Sequence, residues 1–208
     1  MTTRLPDAYF DRMYEGTDDP WQLSTRWYEQ RKYAITMALL PDRRYRHAVE
    51  PGCSIGALTA RLAQRCDHVT AMDVADAALR SADARLRRAG CRDRVTLYQS
   101  SLDVTWPPGP FDLLMLSEVA YYLEADALAA VLARECPRLQ RGAKVVAAHW
   151  RHVVADYPLT GDAAHAVIAE TAGLTSVARY GDRDFVVEVF DTGDGRSVAT
   201  REHVPGAR

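Results

Sequence analysis

The last two strand-like runs of the chain, Leu174 to Tyr180 and Phe185 to Phe190, are separated only by Gly-Asp-Arg-Asp. Four residues leave no room for a helix, so the two runs must pair antiparallel as a hairpin. Everything before them alternates. Apolar runs read as strands at Ala48 to Glu50, His68 to Asp73, Val95 to Gln99, Phe111 to Ser117 and Ala143 to His149. Between them stand helical stretches at Gly56 to Cys66, at Ala75 to Ala89 with Gly90 as a stop, and at Glu124 to Leu139; another follows at Asp162 to Thr171. Such alternation, with nearly continuous apolar strands, implies a parallel sheet covered on both faces. The expected fold is an open α/β sandwich whose mostly parallel, seven-stranded sheet ends in an antiparallel C-terminal hairpin strand.

The sheet begins only near Ala48, and what precedes it is unusual: seven of the chain's 18 aromatic residues fall in the first 33 positions. The stretch from Ser24 to Leu40 lacks Gly and Pro, opens on Ser/Thr cap candidates and stops at Pro41, which predicts a helix. Residues 1–45 are therefore expected to form an N-terminal helical cap over the strand ends, residues 46–195 the core domain, and residues 196–208 a flexible tail. Phe10 and Tyr28 are expected simply to pack.

With 208 residues, 48% apolar and 26% charged, the composition is that of a soluble globular domain, not a collagen-like, disordered or disulfide-stapled chain. Lys and Arg number 26 against 28 Asp and Glu, so no basic field exists to hold a polyanion and no nucleic-acid partner is expected. Cys53, Cys66, Cys91 and Cys136 are scattered, without a C-x-x-C pair or His at zinc-ligand spacing, so no metal site is expected. Without a signal-like N-terminus or a bilayer-length apolar run, the chain is expected to be cytoplasmic, with no membrane partner. A small-molecule ligand fits best. The oligomeric state is left open.

The first strand runs into Glu50-Pro51-Gly52-Cys53-Ser54-Ile55-Gly56. A Gly-bearing turn at the carboxyl end of a parallel strand lets backbone approach a ligand, and the acidic residue opening it suits a cationic or zwitterionic group. The G-x-G-x-x-G pattern of dinucleotide sites is missing. The second strand ends in Asp73, 23 residues after Glu50, where a carboxylate can accept both hydroxyls of a ribose.

E-x-G-C-S-x-G followed by a strand ending in Asp resembles motifs I and II of the class I S-adenosylmethionine-dependent methyltransferases, whose Rossmann-like α/β sandwich ends in the same antiparallel strand. More narrowly, Tyr9-Phe10-Asp11-Arg12-Met13-Tyr14, Asp19-Pro20-Trp21, the segment from Trp27 to Tyr33 and the segment from Ser117 to Leu123 are similar to the NodS family. That family comprises the nodulation N-methyltransferase, which methylates the free amine of a partly deacetylated chitooligosaccharide, and bacterial relatives with other acceptors. The resemblance extends over residues 7 to 190. It implies S-adenosylmethionine as cofactor, with Glu50, Gly52, Cys53, Ser54 and Gly56 around its methionine end, Asp73 at the ribose and Val74 beside the adenine. Where such enzymes place an acid after the third strand, this chain has Ser101, followed by Leu102, and Asp103 comes two residues too late. Either Ser101 or a backbone N–H is left for that contact. Ser54 stands where the wider superfamily often has glycine. Within the cap the resemblance singles out Tyr14, Trp21 and Arg31, an aromatic lid with one cation able to pair with the cofactor carboxylate.

Ser117 and Glu118 end the fourth strand, where sulfonium and acceptor should meet, and Glu118 can stabilise a cation or take a proton. Tyr121 and Tyr122 offer aromatic faces to a methylsulfonium or a sugar ring. His149 and Trp150 end the fifth strand; a His with pKa near ~6.5 is a second candidate base. Trp150 and, more weakly, His165 are acceptor-site candidates. The expected activity is methyl transfer to a small polar acceptor, most simply an amine. An O-methyltransferase of a natural-product intermediate and a non-catalytic S-adenosylmethionine-binding protein remain alternatives. A nicotinamide oxidoreductase is disfavoured by the missing glycine pattern and the terminal hairpin.

Overall fold

The computed structural model describes residues 4–207. Its strands are β1 (Tyr45–Pro51), β2 (Cys66–Asp73), β3 (Val95–Gln99), β4 (Leu113–Ser117), β5 (Lys144–Trp150), β6 (Thr175–Gly181) and β7 (Phe185–Asp191). They form one seven-stranded sheet in the order β3-β2-β1-β4-β5-β7-β6. The first five strands run parallel. Strand β7 inserts between β5 and β6 and is antiparallel to both, as the short Gly-Asp-Arg-Asp connection demands. This is the expected Rossmann-like methyltransferase architecture.

Alternation along the strands explains why both faces are covered. Ala48 of β1, Met115 of β4 and Val146 of β5 join one apolar cluster. Their neighbours Val49, Leu114, Leu116, Val145 and Ala147 join the other. The first cluster is closed by Tyr33 of α2 (Trp27–Ala38), Leu62 of α3 (Thr59–Arg65), and Leu79 and Leu86 of α4 (Asp76–Arg88). The second is closed by Leu128, Val131 and Leu132 of α5 (Ala125–Glu135) and by Ala164 and Ile168 of α6 (Gly161–Ala169). In α4 the buried residues Ala78, Leu79, Ala82 and Leu86 recur at helical spacing. Helix α2 is different: its buried residues are Glu29, Lys32, Tyr33 and Thr36, so charged groups occupy the face where apolar side chains belong.

Several helix ends differ from expectation for local reasons. Helix α2 starts at Trp27 rather than Ser24, because Ser24 N–H donates to Asp19 Oδ2 (3.0 Å) and Arg26 N–H to Gln22 O (3.0 Å), which keeps this segment in a turn. Helix α5 stops at Glu135, and Pro137 turns the continuation into a short 3-10 segment, Cys136–Arg138.

Ahead of the sheet lie α1 (Asp7–Met13) and α2. Leu5 N–H donates to Tyr122 O (3.0 Å), and Arg4 forms an isolated antiparallel bridge with Leu123, so the start of the described chain is strapped to the segment after β4. Residues 1–3 of the expected cap and residue 208 of the expected tail lie outside the described residues. The rest of the tail is not free of structure. It carries α7 (Val198–Arg201), capped by Ser197, and Arg201 pairs with Asp42 just before β1. No helix among the described residues is long and apolar enough to cross a membrane.

Candidate active site

Because β1 to β5 are parallel, their carboxyl ends meet along one edge of the sheet. From β1 the strand order proceeds to β2 on one side and to β4 on the other, a topological switch point that opens a crevice at that edge. A cavity of about 630 Å³ lies there. Its walls bring together most of the residues singled out from the sequence: Tyr14 and Trp21 of the cap, Glu50, Gly52, Cys53 and Ser54 after β1, and Asp73 and Val74 after β2. Ser101 and Leu102 follow β3, Ser117, Glu118, Tyr121 and Tyr122 stand at the end of β4, and Trp150 ends β5.

At the β1–β2 end the backbone does much of the shaping. Gly52 has φ +73°, and a Cβ there would stand 2.7 Å from Val119 Cγ2, so glycine is required both by conformation and by space. Ser54 also adopts a left-handed φ of +48°. It is held there by its N–H, which donates to Asp73 Oδ2 (2.8 Å), and by its hydroxyl, 2.6 Å from the Tyr14 hydroxyl. The glycine frequent at this position elsewhere is thus replaced by a residue with two compensating bonds. Asp73 Oδ1 accepts the N–H of Ala75 (3.0 Å). Burial pushes its pKa up to about 6, against the backbone N–H groups that favour the charged form. Glu50 is wholly buried and its Oε2 has no hydrogen-bond partner among the described residues; burial raises its carboxyl to about 8, with the Thr59 hydroxyl working the other way. A buried carboxyl in a cavity wall with one oxygen left unpartnered is costly unless a ligand donates to it.

The β4–β5 end is built from side chains far apart in sequence. Glu118 has φ +55° and accepts three donors: Lys32 Nζ on Oε1 (2.6 Å), and the Tyr121 hydroxyl and Trp150 N–H (3.1 Å) on Oε2. Lys32 is 2% exposed and pairs with Glu29 Oε2 as well (2.9 Å). Its ammonium also lies 5.0 Å from the Tyr28 ring centroid and 5.8 Å from that of Tyr33. Burial opposes its charge, yet Glu118 and Glu29 outweigh that and hold its pKa above the ordinary lysine value. Glu29 is shifted up by burial, with Lys32 working the other way.

Four expected site residues stand elsewhere. Arg31 points away from the cavity: it pairs with Asp182 (2.7 Å), donates to the Tyr180 hydroxyl, and lies over the Phe185 ring, tying α2 to the β6–β7 turn. Gly56 is not in the wall; its φ of +72° and the close approach of Ala82 make it a packing glycine between the β1 loop and α4. His149 and His165 are buried behind the site. His149 Nε2 accepts the N–H of Ala120 (3.1 Å), so its proton is on Nδ1, facing His165 Nε2 (3.1 Å); His165 in turn donates from Nδ1 to Glu188 Oε2 (2.7 Å). Burial holds His149 well below the ordinary histidine pKa, and with both nitrogens engaged it cannot serve as a base for a ligand in the cavity. The pair instead positions the backbone after β4.

Other wall residues escaped the sequence reading: Phe10, Arg26, Tyr28, Glu29, Lys32 and Tyr157. Phe10 and Tyr28 do pack, against Tyr122 (4.8 Å) and Trp150 (5.2 Å), and line the cavity while doing so. Lys32 and Glu29 were within the resembling segment Trp27 to Tyr33, but charged residues three apart on a helix ordinarily read as a solvated pair.

The family model described as Nodulation protein S (NodS) matches residues 11–170, more than half of the chain. The chain belongs to the NodS family. Nodulation protein S of Bradyrhizobium diazoefficiens is 35% identical over 109 residues, 52% of this chain and 51% of that protein. Its counterpart in Rhizobium tropici is 33% identical over 109 residues, 52% of this chain and 44% of that protein. The chain thus spans about half the length of the curated relatives it matches. Among solved structures, the N-methyltransferase NodS from Bradyrhizobium japonicum WM9 in complex with S-adenosyl-L-homocysteine aligns with a TM-score of 0.78. That alignment covers 89% of this chain and 97% of that one at 23% identity, a likeness of fold. Of the cavity wall, all but Arg4, Leu5, Phe10 and Asp184 lies within the NodS-matched residues.

Proposed function

We propose that the chain is an S-adenosylmethionine-dependent methyltransferase acting on the nitrogen of a small polar amine, with an amino sugar of the chitooligosaccharide kind as the acceptor class the NodS likeness favours. The observation that carries this reading is Glu50. Its buried carboxyl, with Oε2 unpartnered among the described residues, stands in the wall of a switch-point cavity, beside Asp73, in a chain of the NodS family. When bound, S-adenosylmethionine supplies a methyl group made electrophilic by the sulfonium that carries it.

This chain's own residues would do the binding and positioning. Glu50 would ionise on meeting the ammonium of the methionine portion, which replaces its missing donor. The Asp73 carboxylate accepts backbone N–H groups of Ser54, Ala75 and Val74, which would leave about one of its roughly four lone-pair sites for a ribose hydroxyl. Val74, Ser101 and Leu102 would receive the adenine, with Tyr14 and Trp21 covering the cofactor from the cap. At the other end, Glu118 has used three of roughly four acceptor sites. The remaining site would take an N–H of the acceptor and aim the nitrogen lone pair, while Tyr121, Tyr122 and Trp150 wall the site from water.

The same geometry favours an amine over a hydroxyl. A neutral amine needs no base once its lone pair is free, whereas a hydroxyl needs one strong enough to take its proton. His149 is buried away from the cavity and Glu118 is tied to Lys32. The test is transfer of tritiated methyl to a panel of amines and alcohols, with cofactor binding followed by calorimetry. Labelled amines are the expected product. Transfer to alcohols alone would overturn the N-methyl reading, and tight binding without transfer would make the chain a binding protein.

A further inference from the structure

The buried line behind the site runs from the Ala120 N–H through His149 and His165 to Glu188, and none of the three side chains is more than 7% exposed. It supports a strained turn. Glu118 stands at φ +55°, and residues Ala120–Tyr122 form the 3-10 turn that carries Tyr121 and Tyr122 into the cavity wall. Two other segments hang on that turn. Leu159 N–H donates to Tyr121 O (3.2 Å) and Leu5 N–H to Tyr122 O, so the loop after β5 and the start of the described chain are both fastened to it.

The line has no room for one more proton. His165 keeps a proton on Nδ1 for Glu188, and only one proton fits between His149 Nδ1 and His165 Nε2 (3.1 Å). A third proton on the two rings has one remaining place, His149 Nε2, whichever ring carries the charge. There it meets the Ala120 N–H, donor against donor, and the bond that holds the turn is lost. Glu188 is the poorer base: the His165 hydrogen bond holds its carboxyl below the ordinary glutamate value against the effect of burial, and Arg179 adds to this.

The groups facing the pair set how readily that proton arrives. Burial does most to keep His149 uncharged, and from α2 the Lys32 ammonium adds to it. From β6, Arg179 Nε lies 3.8 Å from Glu188 Oε1, and from α6 Asp162 acts on Glu188 with the opposite sign. After β4, Tyr121 turns its ring to His149 at 5.1 Å, while its hydroxyl is committed to Glu118. Glu188, in direct contact with His165, is what favours a charge on the rings.

We propose that the pair is an acid-sensitive latch: a proton taken up by His149 and His165 unseats Ala120 and, with it, the tyrosine wall at the β4–β5 end of the cavity. What the opening regulates, methyl transfer at that end, rests on the function proposed above, whereas the latch itself needs no ligand.

NMR of the full chain, following amide and imidazole nitrogens as pH is lowered, tests it without any transfer step. The amides of Ala120, Tyr121 and Tyr122 are expected to shift together with the imidazoles of His149 and His165, through one midpoint on the acid side of the ordinary histidine range. E188Q keeps an acceptor for His165 Nδ1–H but removes the charge that favours the extra proton, so the midpoint should fall by about one pH unit or more, a tenfold loss of proton affinity. R179Q removes a competing cation from an exposed position, and its midpoint should rise. Damage to packing would not move the two in opposite directions, and R179Q carries the test if E188Q fails to fold. Three results would overturn the latch and leave the methyltransferase reading standing: amides that stay in place while the imidazoles titrate, a wild-type pair that takes no proton before the chain unfolds in acid, or a midpoint unmoved by E188Q or, where that variant does not fold, by R179Q. Absence of transfer to any acceptor beside a working latch would overturn the methyltransferase reading alone.

Discussion

The two ends of the cavity are made differently. Near β1 and β2 the determinants sit within a few residues of a strand end: Gly52, Ser54 and Asp73 hold one another through backbone conformation and N–H bonds. Near β4 the central contact, Lys32 to Glu118, joins residues 86 positions apart and depends on α2 docking over the sheet. The first end is shaped by topology, which any chain with this strand order inherits. The second is shaped by a buried charge network, which exists only if the cap closes.

The largest expected break in that contrast is Lys32→Met. It leaves the buried Glu29 and the half-buried Glu118 without their counter-ion, and removing one partner of a buried pair costs about 3–5 kcal/mol. Urea unfolding should show it, and a loss under about 1 kcal/mol would mean the triad is no more than a surface pair. Next comes Glu50→Gln, which should weaken S-adenosylmethionine binding by about tenfold or more, as expected when a charge-assisted bond worth roughly 1.5–3 kcal/mol is lost. Its pH signature sharpens the comparison. In the ligand-free chain Glu50 titrates at about 8 when folded and near 4.5 ordinarily. Between those values the folded state holds a proton that the unfolded state has released, so stability contributed here is present at low pH and falls as pH rises through the window, levelling above about 8. Asp73, at about 6 against 3.8, adds the same sign at lower pH. In thermal melts from pH 5 to 8.5, Glu50→Gln should flatten the upper part of the decline, and an unchanged slope would place the titration elsewhere.

A smaller effect is expected of Gly52→Ala. A positive φ alone makes alanine unfavourable there by more than roughly 1 kcal/mol, and the Val119 contact adds to it. Val119→Ala in the same chain should relieve the steric part and leave the conformational part, a separation that melting temperatures of the three variants would reveal. Arg31→Ala should do least at the site: its partners Asp182 and Tyr180 lie at the β6–β7 turn, so the cofactor dissociation constant should stay within about twofold, the usual range of a surface change. A tenfold loss would return Arg31 to the cofactor carboxylate.

The same contrast explains what could be read in advance. The mostly parallel sheet with its antiparallel end and the Glu50 to Ser54 turn were legible because nearly continuous apolar runs and glycine punctuation are local properties, and Asp73 followed because a strand's last residue must stand at the ligand edge. Arg31 and Lys32 are adjacent in sequence, and only the rotation of α2 decides which faces the cavity; both are cations, so residue type carried no information. Lys32 was hidden because a buried lysine looks the same in sequence as a solvated one until its partners arrive from β4. His149 had the right strand position for catalysis. What disqualified it, a second histidine and a glutamate behind it, is contributed by α6 and β7, beyond the reach of any spacing rule.

The buried line from Ala120 through His149 and His165 to Glu188 bears on how such chains diverge. Each proton along it has one allowed place, so replacing either histidine strands a polar neighbour in the interior. No single substitution there is neutral. The three side chains are expected to be replaced together by apolar residues or kept together, whereas Arg31, half-exposed at the β6–β7 turn, can be changed with its partners still open to solvent. In a lineage that changes its acceptor, the wall facing the cavity can be rewritten one residue at a time on a support that permits no such steps.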